Sequence, residues 1–236
     1  MNNTYYQNTE ENFKNALLLC EKDFSHGELI EMLKDGNIPQ KQIAALKLDT
    51  IKSEQDAQTL LNNLTGQDGK IREVVSMRLK EFMKDENLRH LFNASKNYQV
   101  FLDAITDING NICRNIISAV SNLREDKDFC EVFCKNLAQM TLDLLDIVEK
   151  FDFKDGKYKV NKEAFKLYWC LETIYVFWDK INISELKTIL SKSAKINEYT
   201  IREKTAKILT HDFDDSDLSK IRLSLKNDSN YYVRRF

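Results

Sequence analysis

Apolar positions recur at helical spacing from Phe13 onward, and Phe13, Ala16, Leu17, Cys20 and Phe24 mark a first amphipathic helix. The residues before it are polar, so 1–12 is expected to be a flexible segment. Further on, Leu60, Leu61 and Leu64 precede a short polar turn, and Ile71, Val75, Leu79 and Phe82 follow it at i, i+4, i+8 and i+11. The arrangement returns with Phe101, Leu102 and Ile105 before Ile112, Ile116, Val120 and Leu123. It returns again with Leu186, Ile189 and Leu190 before Ile201, Thr205, Ile208 and Leu209. The unit is helix, polar turn, helix.

Five turn segments overlay: DGNIP from Asp35, DGKIR from Asp68, NGNIC from Asn109, EYTIR from Glu198 and NYYVR from Asn230. Their Ile/Val positions are 38, 71, 112, 201 and 233, giving gaps of 33, 41, 89 and 32 residues. The 89 is close to two units of about 44, so the period is that of helical-pair repeats. Gly36, Gly69 and Gly110 are expected at positive φ in these turns. Pro39 stands in the first turn of its helix, where its missing N–H costs nothing. Ser25 and Glu28 resemble a capping box.

These segments resemble HEAT repeats, whose second helix opens with Asp, then Val or Ile, then Arg. The matching residues are Asp68 with Ile71 and Arg72, Asp107 with Ile112, Glu198 with Ile201 and Arg202, and Asp228 with Val233 and Arg234. The resemblance covers about residues 26–124 and 183–236. It implies a ladder of hydrogen bonds between successive repeats through Asp68, Arg72, Asp107, Arg202, Asp228 and Arg234. Cys113 and Pro39 replace the arginine in two units. The expected fold is all-α: a right-handed α-solenoid of stacked antiparallel helix pairs, forming one domain over residues 13–236.

The middle, 126–182, diverges into a longer pair, with one helix over 126–151 and another over 161–182. Between them Asp155-Gly156, flanked by Phe151, Phe153, Tyr158 and Val160, predicts a short β-hairpin or extended loop near 151–160. Phe236 follows soon after Val233 opens another helix, so either a very short last helix or a longer array is expected.

Composition narrows the chemistry. One proline and six glycines disfavour a many-stranded sandwich. Thirty-five basic against thirty-seven acidic residues exclude a strong overall pull on a polyanion. No apolar run reaches the length of about 20 residues that spans a bilayer, and the start lacks a secretion signal, so a cytoplasmic protein without membrane association is expected. The five cysteines sit in apolar patterns and read as small buried hydrophobes.

No residues converge on a reaction. Cys130 and Cys134 are i, i+4 with no further ligand nearby in sequence. His26, His90 and His211 are scattered, and the carboxylates of HDFDDSD lack calcium-loop spacing, so Asp214, Asp215 or Ser216 reads as a helix cap. No catalytic, cofactor-binding or metal site is expected. The aromatic helix around Tyr168, Trp169, Tyr175 and Trp178 reads as core, or as a groove for a partner. Basic residues from Lys70 to Arg235 recur along the second helices, but interleaved Glu73, Glu81, Glu125 and Glu203 suggest a mixed solvated surface.

The leading functional reading is a non-enzymatic scaffold or adaptor that binds a protein or peptide on the concave surface of the solenoid. A second reading resembles DNA-alkylation-repair glycosylases, with Trp169, Trp178 and Asp179 as candidates; the charge of −2 weighs against this nucleic-acid partner. A third is a HEAT-like lyase or chaperone subunit.

Overall fold

The computed structural model describes residues 17–151 and 161–236. The expected flexible segment 1–12, the start of the first helix and all but Phe151 of the expected hairpin lie outside the described residues. Residues 17–21 are helical. After them come α1 (His26–Asp35), α2 (Ile38–Lys47), α3 (Glu54–Leu61), α4 (Gly69–Phe82), α5 (Glu86–Arg89), α6 (Tyr98–Ile105), α7 (Gly110–Val120) and α8 (Lys127–Val148). The rest are α9 (Lys162–Phe177), α10 (Ile183–Ser193), α11 (Tyr199–Ile208), α12 (Ser216–Lys226) and α13 (Tyr231–Arg234). The described residues contain no strand.

Local chemistry sets the boundaries. Ser25 and Glu28 bond reciprocally at the start of α1, as do Asn37 and Gln40 at the start of α2. Asp68, Asn109, Glu198 and Asn230 each accept the amide two residues ahead and so open α4, α7, α11 and α13. Asp215, in the acidic cluster, caps α12. Gly36, Gly69 and Gly110 do not adopt the positive φ expected of them; among the described residues the positive-φ glycine is Gly66. Gly36 is required for another reason, because a Cβ there would stand 2.3 Å from the Met32 carbonyl oxygen.

Six helix pairs, α1/α2, α3/α4, α6/α7, α8/α9, α10/α11 and α12/α13, stack in two tracks. First helices meet first helices along α6–α8–α10–α12, and the 3-10 turn at His90–Phe92 extends that track from α3. Second helices meet second helices along α2–α4–α7 and α9–α11–α13. Buried side chains from Leu29 to Val233 form one continuous core. Its centre is aromatic: Phe129 stacks on Phe133 at 4.7 Å, Phe101 meets Phe129 edge-on, and Phe177 closes on Phe133 at 5.5 Å. Ile71, Ile112, Ile201 and Val233 are buried at equivalent places, whereas Ile38 is 46% exposed.

Polar bonds tie the pairs together. Arg72 Nε and Nη2 donate to Asp107 Oδ2 and Oδ1 at 2.7 and 3.1 Å, and Nη1 donates to the Gln67 carbonyl in its own turn. Arg202 repeats this toward Asp228 at 2.6 and 3.2 Å, with the Ile196 and Asn197 carbonyls as its own-turn acceptors. Each receiving aspartate also closes its own turn, accepting the amide of Asn109 or Asn230 at 2.8 Å. The Asp107 hydrogen bond, opposed by burial, holds the Arg72 guanidinium above its ordinary pKa, and the Arg202 hydrogen bond holds Asp228 below its own.

Arg234 Nη1 donates to the Asp228 and Ser229 carbonyls of its own turn. At the same place in the third pair, the Cys113 thiol donates to the Asp107 carbonyl at 3.1 Å. Asp68 bonds the Lys70 amide within its own pair.

Truncating Arg72 to alanine leaves the Asp107 carboxylate, itself only 10% exposed, without its charged partner. Arg72→Ala is expected to lower unfolding free energy by about 2–3 kcal/mol. Arg235→Ala, which removes a more exposed pair with Glu203, is expected to cost less than about 1 kcal/mol. Urea unfolding of the two variants against the parent chain measures the difference.

A candidate interaction surface on the second helices

Sorting the helices by track separates their charge. The six second helices carry thirteen Lys/Arg against five Asp/Glu, a net +8, whereas the six first helices carry eight against twelve, a net −4. Arg72 and Arg202 are neutralised by turn aspartates, which leaves eleven against five on the second helices. The overall −2 of the chain conceals this division. Of the basic residues between Lys70 and Arg235, Arg222 is on α12, a first helix, and Arg124 precedes α8.

Lys70, Lys80, Arg114 and Lys166 form no ion pair among the described residues, while Glu73 is occupied by the Asn109 and Asn111 side-chain amides across the α4–α7 step. Ser76 accepts from Asn115 across the same step. Exposed apolar side chains share the track: Ile38, Leu46, Met77, Tyr199, Tyr231 and Tyr232.

The aromatic helix α9 occupies the centre of the track. Trp169 is 5% exposed and is packed edge-on by Phe165 and Tyr168, with Arg114 above its ring. It fills the step between α7 and α9, where the two backbones do not pack closely, and its six-membered ring lies 3.1 Å from where a Gly110 Cβ would stand. Tyr168 and Tyr175 are half-buried under Lys204 and Lys207, whose Nζ atoms lie 4.4 and 4.1 Å from the ring centres. Both lysines also contact Glu172 at 2.7 Å. Trp178 stacks on His211 and meets Phe213 edge-on, and His211 Nε2 bonds the Tyr175 carbonyl at 3.1 Å. Tyr168, Trp169, Tyr175 and Trp178 thus join α9 to its neighbours.

No family model matches this chain, and no curated protein matches it. Among solved structures it is similar to an engineered protein, at 11% identity over 90% of this chain and 93% of the other, with a TM-score of 0.46. A designed armadillo repeat protein has 12% identity over 89% and 96%, with a TM-score of 0.45. An archaeal HEAT-like repeats protein from Thermococcus onnurineus NA1 has 14% identity over 91% and 94%, with a TM-score of 0.38. The repeat architecture rests on the two stacked tracks described above.

The described residues hold no group of three or more His, Cys, Asp or Glu placed to bind a metal. Burial pushes Cys113, Cys134 and Cys170 up to about 12 and raises Cys130, whereas Cys20 is exposed. A cleft of 660 Å³ opens on the loop edge between α8 and α10 and has a mixed lining that includes Arg124, Glu125, Lys127 and Glu131. In it Lys180 pairs with Glu125, and Arg124 pairs with Asp179 beside it.

Burial pushes the Glu172 carboxyl up, but Lys204 and Lys207 outweigh it and hold the group below its ordinary pKa. A lowered carboxyl pKa contributes stability that is present above the ordinary carboxylate range and lost as pH falls through the folded value. Glu172→Gln is therefore expected to cost about 1–3 kcal/mol at pH 7, with the penalty shrinking as pH falls below about 4. Urea unfolding across that range tests this.

The two turn glycines give a second contrast. A Cβ at Gly69 meets nothing within 4 Å, whereas one at Gly110 presses on Trp169. Gly69→Ala is expected to stabilise the chain by about 0.5 kcal/mol, and Gly110→Ala to destabilise it by about 1 kcal/mol; thermal melts report both signs. With a thiol-reactive dye, one of the five cysteines, Cys20, is expected to label in the native state and all five after denaturation.

Proposed function

We propose that this chain is a non-enzymatic scaffold that binds a protein partner across the face of its second helices, with residues 13–236 acting as one unit in the cytoplasm. The observation that carries the reading is the concentration of unpaired cations and exposed apolar side chains on one track of the stack. Stacked helix pairs present such tracks as extended binding surfaces. The glycosylase-like reading draws less support, because Trp169 is buried and Asp179 is engaged by Arg124. Among the described residues no helix is long and apolar enough to cross a membrane.

Affinity capture from nuclease-treated native lysate, read by mass spectrometry, tests the scaffold. A reproducible protein partner is expected, and Lys70→Glu with Arg114→Glu is expected to release it. Capture of nucleic acid alone from untreated lysate, with no protein surviving nuclease, would overturn the reading.

A further inference from the structure

We infer that the second-helix face docks an acidic protein segment that also carries apolar side chains. This rests on the scaffold reading and adds the partner's chemistry to it. The argument is one of charge complementarity. After the ladder arginines are discounted, eleven basic residues face five acidic ones on this track, and eight of the eleven carry no ion pair among the described residues; of these, Lys70 and Lys80 on α4, Arg114 on α7 and Lys166 on α9 span three successive pairs. A string of carboxylates arriving there gains attraction without breaking an ion pair.

The remaining side chains separate a polypeptide from a nucleic acid. Exposed Ile38, Leu46 and Met77 at one end of the track have counterparts in apolar side chains but none in a nucleic acid, whereas Tyr199, Tyr231 and Tyr232 at the other end could pack on either. Glu73, Glu81 and Glu203 lie on the same track. They would repel a continuous phosphate chain, whereas an acidic segment can place a neutral residue against each of them.

Two experiments on the full chain test this. The first measures fluorescence anisotropy with a labelled 16-residue peptide in which Glu alternates with Leu and Phe. Its controls are the same peptide with Lys for Glu and a 16-nucleotide single-stranded DNA. The acidic peptide is expected to bind, to lose about tenfold in affinity in the Lys70→Glu/Arg114→Glu/Lys166→Glu variant, and to weaken between 50 and 300 mM NaCl. The neutral triple variant, with glutamine at the three positions, is expected to lie between. Tighter binding of the DNA or of the Lys peptide would overturn the inference, as would an unchanged affinity in both triple variants.

The second places a photo-crosslinking residue at Met77 and sequences the crosslinked peptide from native lysate. An acidic crosslinked segment supports the inference. A partner joined through a neutral or basic segment would overturn it while leaving the scaffold intact, and so would a crosslink to a second copy of this chain. No crosslinked protein at all would remove both readings.

Discussion

A single carboxylate, shared between its own turn and the helix pair before it, fixes how this chain stacks. Asp107 and Asp228 each close a turn through a backbone amide and receive a two-point bond from the arginine of the preceding pair. Helix pairs bury apolar surface without a strong preference for one offset along their length. A planar guanidinium bonded at both ends supplies that preference, since it satisfies a carboxylate and a turn carbonyl only at one separation. The alignment of α7 on α4 and of α13 on α11 follows from that spacing.

Where the arginine is missing, other chemistry takes over. Cys113 satisfies the turn carbonyl but reaches no neighbouring pair, and at the next step α7 and α9 are separated by Trp169. The following step is held by Glu172 between Lys204 and Lys207, which themselves cover Tyr168 and Tyr175. The centre of the stack is therefore joined by aromatic and lysine side chains, and its flanks by arginine bridges. The cations left over from these joints lie toward the flanks and the rim of the step, on the same track as the exposed apolar residues.

Much of the fold was legible because its signals are local. Capping residues, the buried Ile/Val positions and the two long central helices all announce themselves within a few residues. Misreadings arose where equal letters hold unequal positions. DGNIP matches the other turns, but Asn37 caps α2 immediately before Ile38, so that residue faces solvent instead of the core. In the other matched turns the cap stands three residues before the buried Ile or Val. Asp68 and Asp107 look alike in sequence, yet the first is such a cap and the second stands five residues ahead, within reach of the neighbouring pair. The glycines beside the turns suggested positive φ, but Gly36 is there for close approach and Gly110 for the ring of Trp169. The segregated charge was not legible from the total, because it emerges only when each helix is assigned to its track. The placement of Trp169 in the α7–α9 step needed three-dimensional packing that no sequence spacing encodes.

Hydrogen exchange of the full chain, with and without its captured protein partner, addresses the central claim most directly, because it asks which track the partner covers. The account predicts slowed exchange concentrated on the second helices, strongest along α4 and α7, with the first helices unchanged. Protection confined to α1, α3, α8 and α10, or to the loop edge around Glu125, would contradict it.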